Sequence, residues 1–264
     1  MKRIIVCIKQ VKSINLDSVS KVDTAYRKYS ELFNNPFDII ALSWAMQLKG
    51  QYGFEVITIS MGPSTAAPLV KQLLLYGVDR VILLTSPSLS GSDTYATSYA
   101  IGNMIKTLFP EYDLIICGNR TVDGETGQVP HSIASELNID SFANVSKISY
   151  TNEKFKINCE IDSTIATLQS EKKVLVTVVR GPEGYMCLPT IKSIIGSKSK
   201  TVEIVTCDKL SISDNNVGQR GSYTKVVSLQ HKEATPYRNL CKIHFREEQK
   251  KLDLLLDSLA GDMQ

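Results

Sequence analysis

Apolar positions in the first half of the chain alternate between two patterns. RIIVCIK (3–9), EVITISMG (55–62), DRVILLTS (79–86) and YDLIICG (112–118) are short runs rich in β-branched residues. Such continuous runs predict strands buried on both faces. Between them, NPFDIIALSWAMQLKG (35–50), STAAPLVKQLLLYG (64–77), SDTYATSYAIGNMIKTLF (92–109) and TGQVPHSIASELN (126–138) carry apolar residues at helical spacing. Asn-Pro opens the first helix, glycines close the first two, and Ser92 or Asp93 is a candidate N-cap of the third. The alternation predicts an α/β fold, a doubly wound parallel sheet of Rossmann-like type. Ligands of such sheets sit outside the carboxyl ends of the strands, at a switch point in strand order. Small and polar residues collect at those ends: Cys7 to Lys9, Met61 to Pro63, Ser86 to Asp93, and Cys117 onward.

From about Ser141 the pattern changes. VSKISY (145–150), FKINCEI (155–161), STIATLQS (163–170) and KVLVTVVRG (173–181) are joined by short polar turns. They predict consecutive antiparallel hairpins over about 141–180, partly on the sheet edge. GPEGYMCLPTIKSIIGSKSK (181–200) is a Gly/Pro-bounded loop leading into a short helix. After VEIV the chain becomes irregular through NNVGQRGSY, then ends in an amphipathic helix, REEQKKLDLLLDSLAG (246–261). The division expected is an α/β domain over 1–200 and an extended C-terminal arm with its helix over 201–264.

Composition narrows the class. Among 264 residues, 43% are hydrophobic and 22% charged, as in soluble globular proteins. A net charge of +3 gives no basic field of the size nucleic acids need. Lys192, Lys198 and Lys200 suit a solvated surface. No apolar run approaches the ~20 residues of a membrane span. The start MKRIIVCIKQV breaks at Lys9 and reads as a buried strand rather than a signal peptide. Cys7, Cys117, Cys159, Cys187, Cys207 and Cys241 are widely spaced without CxxC. Reduced thiols in a cytoplasm fit that spacing better than disulfides or a metal knuckle.

The stretch CGNRTVDGETGQVP (117–130) is the densest candidate site. Gly118, Gly124 and Gly127 allow close backbone approach, and Thr126 opens a helix whose free N–H groups can hold a phosphate. Asp123 and Glu125 suit ribose hydroxyls, caps or an arginine better than a phosphate. The same residues suit an ordinary capped loop, and the loop alone does not choose. It is neither GxGxxG nor a Walker loop. Ser92, Asp93 and His131 lack a nucleophile elbow, so no catalytic residue is assigned.

Taken in order, IIVCIKQV, NNPFDIIALSWAMQLK, VITISMGP, GVDRVILL, VDGETGQVPHSIASEL, LPTIKSIIGSKSK and GSYTKVV resemble electron transfer flavoprotein β subunits over nearly the whole chain. The resemblance implies an electron carrier paired with an α subunit, serving an acyl-CoA dehydrogenase-type flavoenzyme and not usually a dehydrogenase by itself, with any NADH-oxidising activity arising only within the complex. It implies an adenine nucleotide walled by Cys7, Ile8, Lys9, Asn35, Pro36, Phe37, Asp38 and Met61. Val122, Asp123, Gly124, Glu125, Thr126, Gly127, Gln128 and Val129 would close the pocket, their amides on the phosphates. SDTYATSYAIG and DGETGQV resemble the electron-bifurcating group, which binds FAD and takes hydride from NADH, with Thr94 and Thr97 lining the flavin side. The conventional group holds AMP instead. Asn119-Arg120 and Pro130-His131 depart from the usual pattern. Arg180 is a further candidate for charge near a flavin, with a surface salt bridge as its alternative. Leu188 beside Pro189 would anchor the dehydrogenase, and the C-terminal arm would wrap the α subunit. A stand-alone ATP-handling enzyme would need an SGGxDS-type loop, which the sequence lacks.

Overall fold

The computed structural model describes residues 2–12, 32–185, 187–210, 212–225 and 227. Met1–Lys225 forms one unit; the expected helix at 246–261 and Cys241 lie outside the described residues. The leading strands are β1 (Arg3–Cys7), β4 (Glu55–Met61), β5 (Arg80–Leu84) and β6 (Leu114–Gly118), all parallel. Their central residues are buried on both faces, so the apolar runs have no polar alternation. A small antiparallel ribbon pairs β2 (Gln10–Lys12) with β3 (Leu32–Asn34).

Helices cover both faces, as a doubly wound sheet requires. On one side lie α1 (Pro36–Tyr52) and α2 (Ala67–Lys71), burying Leu42, Trp44, Leu48 and Val70 against Ile4, Val6 and Val81. On the other lie α3 (Thr94–Leu108) and α4 (Gln128–Leu137), burying Ile101, Met104, Ile105 and Ile133 against Ile5, Ile57 and Ile115. Each fully buried aliphatic side chain contributes about 1.5–3 kcal/mol. The helix expected over 64–77 is three short turns, 3₁₀ at Ser64–Ala66, α2, then 3₁₀ at Gln72–Tyr76. Pro68, without an N–H, fits only the first turn of a helix and so sets a new start there.

The second half differs from expectation in one strand. A meander runs β7 (Asp140–Thr151), β8 (Lys154–Ile161) and β9 (Thr164–Ser170), antiparallel as the alternation predicts. The next strand, β10 (Val174–Val178), is no hairpin arm: it inserts between β6 and β7, parallel to both. β7 makes this possible by turning at Asn144, with φ 54° and shifted register on either side. Its second half packs Tyr150, with Phe155 of β8, around Phe54 at ring separations of 5.1 and 5.9 Å. The entirely buried burial pattern of VLVTV is that of an interior parallel strand.

The nine strands of the described sheet run β11-β5-β4-β1-β6-β10-β7-β8-β9, where β11 is Glu203–Val205. Cys207, Leu210, Ile212 and Val217 follow β11 into the core on the α3 side. Strand order reverses between β1 and β6, which fixes the switch point.

Candidate functional site

The switch point is built from the turns that leave β1 and β6 and the helix starts beside them. Pro36 presets the first turn of α1 and leaves Asn35 as its cap residue. Asn35 is fully buried; its Nδ2 donates to the Arg120 carbonyl at 2.9 Å and its Oδ1 accepts from the Val122 N–H at 3.3 Å. One turn later, Asp38 accepts from the N–H groups of Lys9 at 2.8 Å and Gly118 at 3.2 Å. One carboxylate thus clips the exits of both central strands to one helix. Burial pushes the Asp38 pKa up to about 7, against the pull of the Lys9 N–H, the Asn35 side chain and the Gly118 N–H. Only glycine fits at 118: a Cβ would lie 2.5 Å from Asp38 Oδ1 and 2.7 Å from the Phe37 carbonyl carbon.

The loop after β6 rises from this clip toward α4. Gly127 is the cap residue, at φ 63°, and a Cβ there would lie 3.0 Å from the Asn119 carbonyl oxygen. The helix therefore starts at Gln128, so Thr126 stands just ahead of it rather than opening it. Its first N–H groups have no partner inside the helix. Asp123 accepts from the Gly124 N–H at 2.7 Å and pairs with Lys9 Nζ at 2.7 Å. Partial burial works against its charge, but the Lys9 ammonium and Thr121 hydroxyl hold its carboxyl below the usual range. Across the mouth, Asp93 caps α3 by accepting from the Ala96 N–H at 2.9 Å, and Thr94 Oγ1 donates to Gln128 Oε1 at 3.2 Å. Thr94 and Thr97, one turn apart, share that side of α3.

Of the residues expected in the wall, Ile8, Asn35 and Asp38 are buried and hold the frame. Cys7, Phe37, Met61, Val122, Gly127 and Val129 are half-buried, whereas Lys9, Pro36, Asp123, Gly124, Glu125, Thr126 and Gln128 are exposed. Two groups not assigned to the wall beforehand join them. Gln10 Nε2 donates to Asn34 Oδ1 and Ser60 Oγ at 3.1 and 3.2 Å, while its Oε1 and the Oδ1 of Asn119 are buried without a partner among the described residues. The motif IKQV held the first signal; the second was the Asn119-Arg120 departure from the usual pattern. Arg180 pairs with Glu160 at 2.5 Å, its side chain 62% exposed, the surface salt bridge of the two alternatives. Leu188 and Pro189 stand elsewhere. They lead into α5 (Ile191–Ser197), capped by Thr190 and tied by Ser193 Oγ to the Leu75 carbonyl at 2.6 Å.

A strand-order reversal flanked by helix starts suits a nucleotide. Residues 30–210 match the electron transfer flavoprotein domain. The chain is 34% identical to the electron transfer flavoprotein subunit beta of Thermoanaerobacterium thermosaccharolyticum, covering 85% of this chain and 86% of that one. The subunit beta of Clostridium acetobutylicum is 34% identical over 87% and 88%, and that of Megasphaera elsdenii 30% over 98% of each. The chain belongs to the electron transfer flavoprotein β-subunit family. Membership gives it an electron-transfer role and implies a partner subunit. The mouth offers N–H donors, amide oxygens and the Lys9–Asp123 ion pair. Among the described residues no helix is long and apolar enough to cross a membrane.

Proposed function

We propose that the chain holds an adenine dinucleotide, FAD, at the switch point and works as the β subunit of an αβ electron transfer flavoprotein in the cytoplasm. NADH is the donor and an acyl-CoA dehydrogenase-type flavoenzyme the partner. The observation that carries this reading is the donor set around 118–129. Unbonded N–H groups at the α4 start suit phosphate oxygens, and the Lys9 ammonium adds positive charge beside them. The orphaned Gln10 and Asn119 oxygens suit amino and hydroxyl donors of the nucleotide. Gly118 and Gly127 keep the backbone close enough for such contacts. Thr94, bonded to Gln128, brings the α3 start to the same mouth and supports a ligand longer than AMP.

When bound, a flavin supplies reversible two-electron storage. The chain's own residues then bind and orient. Asp38 and Asn35 fix the strand exits, Asp123 holds Lys9 over the loop, and Thr94 and Thr97 present hydroxyls. Leu188, 61% exposed beside the 80%-exposed Ile191, forms an apolar anchor for the dehydrogenase. The flavin content of the complex purified with its α subunit tests the nucleotide. Two flavins per heterodimer, bleached by NADH, are expected; one flavin with one AMP contradicts FAD in this chain. Leu188→Ala should slow electron transfer to the dehydrogenase about tenfold at unchanged nucleotide content. An unchanged rate removes the anchor.

A further inference from the structure

Two cysteines lie at the floor of the switch point: Cys7, which ends β1 and was expected in the nucleotide wall, and Cys117 in β6. Val6 faces Ile116 across the parallel pair of β1 and β6, so Cys7 and Cys117 are next in register. Neighbouring strands lie roughly 4.8 Å apart, inside the range of about 4.4–6.8 Å between α-carbons that a disulfide spans. The period of a strand puts both side chains on the face of Ile5 and Ile115, where they meet the same core. The neighbouring Cys7 thiol, together with burial, raises the Cys117 pKa well above the ordinary thiol value. Both are free thiols; Cys7 is half-buried and Cys117 buried.

The other described cysteines lack this arrangement. Cys159 faces Val145 and Ala166 across its strands, and Cys187 and Cys207 are buried outside any strand. Burial pushes the Cys187 thiol up to about 11. A pair with one accessible member and one sheltered member is the arrangement of an attacking and a resolving thiol.

We propose that Cys7 and Cys117 are a modification site, closing into a reversible disulfide by exchange with a low-molecular-weight disulfide. The Cys7 thiolate attacks the external disulfide, forming a mixed disulfide and releasing one small thiol. Cys117 then attacks the Cys7 sulfur, the second small thiol leaves, and the two cysteine protons end on the two released thiols. The protein pair loses two electrons and the small disulfide gains them. Since the Asp38 clip holds the residues just past both cysteines, Lys9 and Gly118, the bond forms without moving the strands apart.

The full chain, treated with glutathione disulfide, alkylated and digested, tests this by mass spectrometry. The expected product is a linked peptide containing Cys7 and Cys117, reversed by dithiothreitol and at least tenfold more abundant than any other cysteine pairing. Cys241→Ser should leave it intact. Cys117→Ser should convert it to a glutathione adduct on Cys7, because the resolving thiol is gone. Recovery of both residues as separately alkylated thiols overturns the proposal. So does a wild-type chain that stops at the Cys7 adduct. Neither result bears on which nucleotide is bound, because the readout needs none.

Discussion

The two ends of the central sheet are both polar, but they are closed differently. At the amino ends of β1, β4, β5 and β11, charges meet partners. Arg3 Nε donates to Glu55 at 2.7 Å and its N–H to Asp113 at 2.6 Å; Asp79 accepts from Lys49 Nζ at 2.5 Å and from the Val56 N–H at 2.8 Å. Arg80 grips Glu203 through two bonds of 2.7 Å, tying β11 to the sheet. At the carboxyl ends the polar groups hold backbone turns in place and leave others open: Gln10 Oε1 and Asn119 Oδ1 have no partner among the described residues. The Arg3–Glu55 and Lys49–Asp79 pairs are part-buried, and Asp113 and Asp79 also satisfy the N–H groups of Arg3 and Val56. A buried acceptor left open costs stability, on the order of 1–3 kcal/mol. Both ends thus carry stabilising contacts, but only the carboxyl ends leave buried acceptors open among the described residues.

Four substitutions break or sharpen that contrast. The largest effect is pH-dependent and belongs to Asp38. Its folded-state pKa, about 7, lies above the ordinary 3.8, so the folded protein holds the proton more tightly than the unfolded chain. Its contribution is complete below about pH 4 and is lost as pH rises through about 7, by up to roughly 4 kcal/mol. Urea midpoints across that range should fall less steeply in Asp38→Asn than in wild type; parallel slopes would refute the assignment. Gly118→Ala comes next, at on the order of 3 kcal/mol, because the new methyl meets backbone that cannot yield. It should also empty the nucleotide site, read as nucleotide released on denaturation. Asp79→Ala, at the other end, should lower stability by about 1–2 kcal/mol while leaving nucleotide content unchanged. Lys9→Ala removes an exposed pair and should change stability by less than about 1 kcal/mol, yet weaken nucleotide binding several-fold by titration.

How much of this the sequence disclosed follows from which forces act locally. The four leading strands and their helices were legible because burial on both faces and helical spacing are properties of neighbouring residues. So was the cap of α3, narrowed to Ser92 or Asp93, of which Asp93 takes the role. The position of β10 was not: a link of three residues, Glu171–Lys173, looks like a hairpin turn, and only the corner at Asn144 makes a parallel insertion possible. At the site, glycine and acid density marked the loop, and it does meet Lys9 and the α3 start. The clip formed by Asp38 was not legible as a clip, since its partners lie 29 and 80 positions away. Nor was Gln10, whose bonds span the ribbon and β4. Tertiary hydrogen bonds leave little trace in local pattern.

The central claim is that the carboxyl ends, between the loop after β6 and the start of α3, receive the nucleotide. Hydrogen exchange of the complex with its α subunit, before and after nucleotide removal, tests it most directly. Nucleotide should slow exchange at the amides of residues 122–129 and at the α3 start around Thr94 and Thr97, with no change around Arg3, Val56 and Asp79. Equal protection at both ends, or none at 122–129, would contradict the account.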